Sequence, residues 1–241
     1  GYSDAFLRNA QKMDINLRHL DYLVLSHGHL DHTWGLDPLI KLYTEARIAG
    51  LPCHEPKLVA HPDAFASKTL GRIGEIGSLL SVEKLSGQFQ LELSREPVWL
   101  TDHLVFLGQI ERTNDYEAQR PLGKVSTPDG EADDYIVDDS ALAYKSSRGL
   151  VIIVGCAHSG VCNITEYAKK VCGDDRVIDI IGGFPLLSPD ASQIRGTCAY
   201  MQKLDLEALH ACHCTDLASK IALSRVAPLK EVGVGLTLSY E

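Results

Sequence analysis

Between residues 27 and 32 the chain reads His-Gly-His-Leu-Asp-His, three imidazoles and a carboxylate within six positions. Donors at alternate positions of an extended stretch point to the same side, so His27 and His29 can close on one ion. Asp31 and His32, displaced as the backbone turns into a helix, can face a second position nearby. Neutral imidazole together with carboxylate suits a borderline divalent ion, zinc first and manganese or iron next, whereas calcium prefers oxygen alone. Without a cation such a group would repel itself on protonation, and a metal is the simplest explanation for the crowding.

Two more histidines, His158 and His213, also stand where an apolar strand gives way to a turn or helix, which is where ligand sites collect. His19, His54, His61, His103 and His210 occur singly and read as solvated or packed side chains. After His158 come Ser159 and Gly160 at an expected helix start, where amides and a small residue can seat a phosphate; the competing reading is ordinary N-capping. Cys212 and Cys214 flank His213, which invites a thiolate-ligand reading; the competing reading is that strand alternation turns them to the opposite face as buried thiols. Arg112 stands near Asp115 and Glu117, either in a solvated ion pair or with its guanidinium reaching a substrate phosphate or carboxylate. No Gly-x-Gly-x-x-Gly, Walker or Gly-x-Ser-x-Gly element is present, and Ser159 would lack a base if His158 holds metal.

The elements that must position these residues follow from apolar patterning. A strand at 21–26 runs into the first cluster, and a helix over 35–48 follows it. Strands are expected at 58–61 and 98–100, with Pro62-Asp63 opening a short helix. Residues 108–139 carry Asn114-Asp115, Pro121, Gly123 and Pro128-Asp129-Gly130, and read as a long loop-rich insertion. Its acidic stretch from Glu131 to Asp139 reads as a solvated lid surface. A hairpin of 140–145 with 150–155 feeds His158, and a helix over 161–171 comes next. The pattern continues with a strand at 177–181, the Gly182-Gly-Phe-Pro185 turn, a helix through 194–203, a strand at 208–211 ending at His213, a helix over 216–226 and two terminal strands. Strands alternating with helices and no convincing linker predict one layered α/β domain spanning 1–241.

Of 241 residues 45% are hydrophobic and the net charge is −9, a field that disfavours coating nucleic acid. No apolar run nears the roughly 18 to 20 residues that span a bilayer, so no membrane partner is expected. Seven cysteines without a Cys-x-x-Cys pair read as reduced thiols in a cytoplasmic setting. The chain opens on Gly1-Tyr-Ser-Asp4 with no leader pattern.

The His-x-His-x-Asp-His element followed by downstream histidines resembles the metallo-β-lactamase-fold superfamily, over essentially the whole chain. Three segments fall in the order and register of the branch related to the dihydropterin-methyl-ribofuranosyl-aminobenzene phosphate synthase of methanopterin biosynthesis: residues 25–33, Gly155-Cys-Ala-His-Ser-Gly-Val-Cys-Asn163 and His213-Cys-Thr215. Arg112-Thr-Asn-Asp-Tyr-Glu117 resembles that branch's insertion. The resemblance implies a four-layer αββα sandwich from which the family's first N-terminal strands are missing. It also implies that His27, His29 and His158 hold one metal and that Asp31, His32 and His213 hold a second. Where the superfamily usually has Asp, and this branch His, the chain has Gly182-Gly-Phe-Pro185, and proline offers no side-chain ligand.

The function expected from these residues is a metal-dependent hydrolase that uses metal-bound hydroxide on a small phosphorylated or phosphodiester substrate, with Asp31 orienting the water and accepting its proton. Arg112, Ser159 and Gly160 would bind the substrate. One alternative is a pterin-related transferase that releases pyrophosphate with the metal as Lewis acid; another is a non-catalytic metal-binding domain.

Overall fold

The computed structural model describes residues 1–241. Along the chain the elements are α1 (Ala5–Lys12), β1 (Tyr22–Val24), α2 (Leu30–Thr33), α3 (Leu36–Ile48), β2 (Lys57–Ala60), β3 (Lys68–Leu70), β4 (Gly74–Glu75), α4 (Val82–Ser86) and β5 (Gln90–Leu93). There follow β6 (Val98–Trp99), β7 (Leu104–Phe106), β8 (Lys124–Thr127), β9 (Gly130–Asp133), β10 (Ala141–Lys145), β11 (Leu150–Val154), α5 (Val161–Cys172), β12 (Val177–Gly182), α6 (Ala191–Met201), β13 (Ala208–Ala211) and α7 (Leu217–Leu223). They gather into two compact units, Gly1–Ser94 with Pro121–Asp134, and Arg95–Arg120 with Tyr135–Glu241. No helix is long and apolar enough to cross a membrane.

In the first unit β1, β2 and β5 form a parallel sheet with β2 in the middle. The central strand supplies Leu58, Val59 and Ala60, all fully buried, and Leu58 and Ala60 share one core with Leu39, Tyr43, Leu85 and Phe89. Burying each such large side chain contributes about 1.5–3 kcal/mol. A four-stranded sheet ordered β4-β3-β8-β9 completes the unit. The stretch 108–139 is therefore not all loop. Pro128-Asp129 is the tip of a hairpin whose register closes at Thr127 opposite Gly130, and Gly130 takes a φ of 117° that favours glycine. Lys-Val-Ser-Thr and Gly-Glu-Ala-Asp carry no apolar face, so only pairing with β3 reveals them as strands.

The Lys68 ammonium on β3 and the Asp134 carboxylate just past β9 are both buried and lie 2.9 Å apart. Glu75 on β4 accepts from the amides of Lys68 at 2.8 Å and Gly77 at 2.6 Å, and from the Ser67 hydroxyl. Burial alone would raise its carboxyl, but these hydrogen bonds outweigh that and hold it below the usual glutamate value. The charged form is favoured in the folded state, so its contribution is present above the ordinary glutamate range and disappears as pH falls through the lowered value. Glu75→Gln is thus expected to be less stable than the parent at neutral pH, the gap closing in acid, as urea melts between pH 7 and 3 would show.

In the second unit six strands run β13-β12-β11-β10-β7-β6. β11, Leu-Val-Ile-Ile-Val, pairs with β10 antiparallel and with β12 parallel. The parallel pairs β11–β12 and β12–β13 are joined through α5 and α6, the crossover that parallel strands require. Ile152, Ile180 and Leu209 on the sheet and Val161, Ile164 and Ala168 on α5 share one buried cluster. Asp190 caps α6 by accepting from the amides of Ser192 and Gln193, each at 2.9 Å, and Asp216 caps α7 through Ser219 at 2.7 Å. The two strands expected after α7 do not form. Leu229 makes only an isolated bridge to Leu209, Gly233 and Gly235 interrupt the stretch, and Tyr240 donates to Asp179 at 2.6 Å.

Candidate metal centre

Within the first unit, the chain leaves β1 and passes so close to the Pro62–Phe65 turn that a Cβ at Gly28 would overlap the Ala64 carbonyl. Glycine is needed there, and the histidines either side of it are fixed in consequence. His29 stands at the N-cap of α2, its carbonyl accepting from the Thr33 hydroxyl at 3.0 Å. The His27 and His29 rings are buried with centroids 4.7 Å apart, and His27 and His32 are 4.2 Å apart. Ser26 Oγ lies 3.1 Å from His27 Nδ1 and 3.2 Å from His32 Nδ1. That one oxygen, shared by two Nδ1 atoms, holds both rings in a fixed orientation. Asp31 Oδ2 is 3.4 Å from His32 Nε2. The sequence's four donors are thus brought together, and imidazole nitrogen beside a half-buried carboxylate is a donor set that fits a divalent transition metal.

Within the second unit, His158 and His213 follow β11 and β13, at the carboxyl ends of parallel strands where α/β sheets carry their sites. Phe184 donates its amide to Thr215 Oγ1 at 3.1 Å, and Leu186 donates its amide to the Cys214 carbonyl at 3.0 Å, which ties the 182–186 turn to the loop after β13. A Cβ at Gly183 would come within 2.7 Å of the His213 carbonyl. Pro185 takes part through its backbone alone, accepting from Gln193 at 2.8 Å. Cys212 and Cys214 are half-buried rather than buried, because β13 ends at Ala211 and Cys214 takes a left-handed φ of 45°.

One residue that the sequence reading passed over belongs here. Cys156 Sγ lies 3.2 Å from His213 Nδ1, and the donor atoms of Cys156 and His158 are within 4.8 Å of each other. The Cys-x-His spacing, the same alternation that picked out His27 and His29, was the available signal.

The phosphate seat expected at Ser159 and Gly160 is filled by the chain itself. Ser159 N–H donates to Asp139 Oδ2 at 2.7 Å and Gly160 N–H to the Ala157 carbonyl at 2.8 Å. The α5 amides of Cys162 and Asn163 donate to the buried Glu117 carboxylate at 3.0 Å each. A phosphate there would face two carboxylates. Glu117 is therefore the anion at this helix start, held in turn by Asn114 Nδ2 at 2.8 Å. Gly160, with φ at 96°, would put a Cβ 2.5 Å from the Glu117 side chain. Gly160→Ala is expected to lose about 2–3 kcal/mol through backbone strain and displaced capping, as denaturant melts would show.

The acidic stretch 131–139 is also corrected: Glu131 to Asp133 are exposed, but Asp134, Asp138 and Asp139 are buried. Burial pushes the Asp139 carboxyl up to about 7 against the opposing Ser159 amide. Arg112 Nη2 donates to the carbonyls of Tyr135 at 2.7 Å and Ile136 at 3.0 Å and to Ser159 Oγ at 3.3 Å, so the structure brings Arg112 and Ser159 together.

The chain belongs to the metallo-beta-lactamase superfamily, whose description matches residues 1–161. It is 30% identical over 224 residues to the 7,8-dihydropterin-6-methyl-4-(beta-D-ribofuranosyl)-aminobenzene-5'-phosphate synthase of Methanocaldococcus jannaschii, covering 89% of this chain and 72% of that protein. An uncharacterized protein of the same organism is 29% identical over 94% of this chain and 81% of its own length. Among solved structures, Tm1679, described as a metal-dependent hydrolase of the beta-lactamase superfamily, superposes with a TM-score of 0.83 at 23% identity, covering 100% of this chain and 87% of that one. That likeness establishes the mixed α/β fold; the superfamily and the synthase relative mark the protein as an enzyme.

Proposed function

We propose that this protein is a metal-dependent hydrolase of a small phosphorylated or phosphodiester substrate. The observation that carries the reading is the clustering of His27, His29, Asp31 and His32 at the end of β1, with the His27 and His29 rings buried and a carboxylate oxygen 3.4 Å from the His32 ring nitrogen. His27, His29 and His158 would hold one divalent ion, and Asp31, His32 and His213 a second; zinc is the ion expected for these donors. Such an ion supplies Lewis acidity, activating water and offsetting charge that develops at the attacked phosphorus.

The chain's own residues do the rest. Asp31, half-buried, orients the attacking water and takes its proton. Ser26 fixes the tilt of two rings through their Nδ1 atoms. Arg112 contributes a fixed positive charge for the substrate phosphate, braced by the two carbonyls it grips. Seven cysteines, none in a disulfide, favour a cytoplasmic location.

A second reading, a pterin-related transferase releasing pyrophosphate, is favoured by the identity to the synthase. Product analysis separates the two. Release of alcohol or phosphate from simple phosphoesters, abolished by chelation and restored by zinc, is expected for the hydrolase. Pyrophosphate release that requires an aromatic acceptor would replace it with the transferase, and bound metal with no turnover on either panel would leave a metal-binding domain.

A further inference from the structure

We propose that Cys156 is a metal ligand, its thiolate joining His158 and His213 as a third donor from the second unit; the inference rests on the metal-dependent reading above. Cys156 is 4% exposed, beyond the carboxyl end of β11, and its Sγ lies 3.2 Å from His213 Nδ1. Ala157 between Cys156 and His158 has a φ of 52°, a conformation that non-glycine residues adopt where their surroundings impose it. The turn brings the donor atoms of Cys156 and His158 within 4.8 Å. Sulfur at about 2.3 Å and nitrogen at about 2.0–2.1 Å from one zinc ion are separated by about 3.2–3.6 Å for angles between roughly 95° and 110°, so the sulfur and the imidazole nitrogen already stand at the spacing of two ligands on a shared ion.

The thiolate, not the thiol, is the ligand. Binding replaces the S–H bond with a metal–sulfur bond, the proton leaves to solvent, and no electron is transferred. A soft donor also sorts the ions: it favours zinc or iron over manganese and magnesium. The neighbouring thiols are suited as controls, because Cys214 Sγ contacts the Cys156 carbonyl at 3.6 Å and Cys212 follows the end of β13. The competing role for Cys156 is a weak S–H donor that orients the His213 ring, which places no sulfur on the metal.

Cobalt(II) substitution of the full chain distinguishes these roles. The parent is expected to show the visible bands of bound cobalt together with an intense near-ultraviolet sulfur-to-cobalt charge-transfer band. That band should be lost in Cys156→Ser and kept in Cys212→Ser and Cys214→Ser. Zinc-edge absorption of the unaltered protein should show a sulfur scatterer at about 2.3 Å, a readout independent of whether any variant folds. Cobalt bound by the parent without the charge-transfer band, a band that survives Cys156→Ser, or a shell of nitrogen and oxygen only would overturn the inference and leave the hydrolase reading standing. A parent that takes up no cobalt would overturn that reading and this inference with it.

Discussion

Replacing His29 with alanine is expected to abolish turnover and to strip metal from the protein. The imidazole is buried beside His27, with centroids 4.7 Å apart, so its loss removes a ligand from a place where solvent is a poor substitute. Removing partners one layer out from a metal already reduces affinity or activity about 10–100-fold, and loss of a direct ligand should exceed about 100-fold. The helical start itself should persist, because Thr33 bonds to the backbone carbonyl of residue 29 and not to its ring. Turnover and metal content measured side by side check the result. The exposed His54, replaced in the same way, should leave both unchanged, and an active, metal-loaded His29→Ala protein would count heavily against the proposed function.

The second large effect concerns stability. Asp134→Ala leaves the Lys68 ammonium buried without its carboxylate, 2.9 Å away in the parent. Breaking a buried pair from one side is destabilising by about 3–5 kcal/mol, which for a chain of this size lowers Tm by about 10 °C. Replacing both partners with apolar residues, Lys68→Met with Asp134→Leu, should recover most of that loss, since neither charge then has to be buried. Thermal melts of the two single variants and the double variant test this, and a double variant no better than either single one would show that the pair does more than offset its own burial.

Sequence patterning exposes whatever rests on local chemistry. The His-x-His-x-Asp-His run is visible because its four donors are neighbours, and the structure gathers them in one place. The hairpin of β10 and β11 is visible because Leu-Val-Ile-Ile-Val is apolar throughout and is preceded by the turn residues Ser146-Ser-Arg-Gly149, with the turn closed by the Ser146 amide on the Gly149 carbonyl at 3.1 Å. Pairings between distant segments are hidden. Glu117 reads as a loop carboxylate until α5, 45 residues further on, presents its amides. Asp134 reads as solvated until Lys68 is placed opposite. The polar strands β8 and β9 have no hydrophobic alternation to mark them, and the tail after α7 has enough apolar residues to suggest strands while Gly233 and Gly235 deny them a continuous ladder.

In the proposed function, residues 27–32 act with His158 and His213 on bound divalent metal. Anomalous diffraction collected at the zinc edge from crystals of the zinc-loaded protein tests it most directly. A peak ligated by His27, His29 and His158 is expected, with a second at Asp31, His32 and His213. Zinc-loaded crystals with no peak at these side chains, or with metal held only elsewhere on the protein, would contradict it.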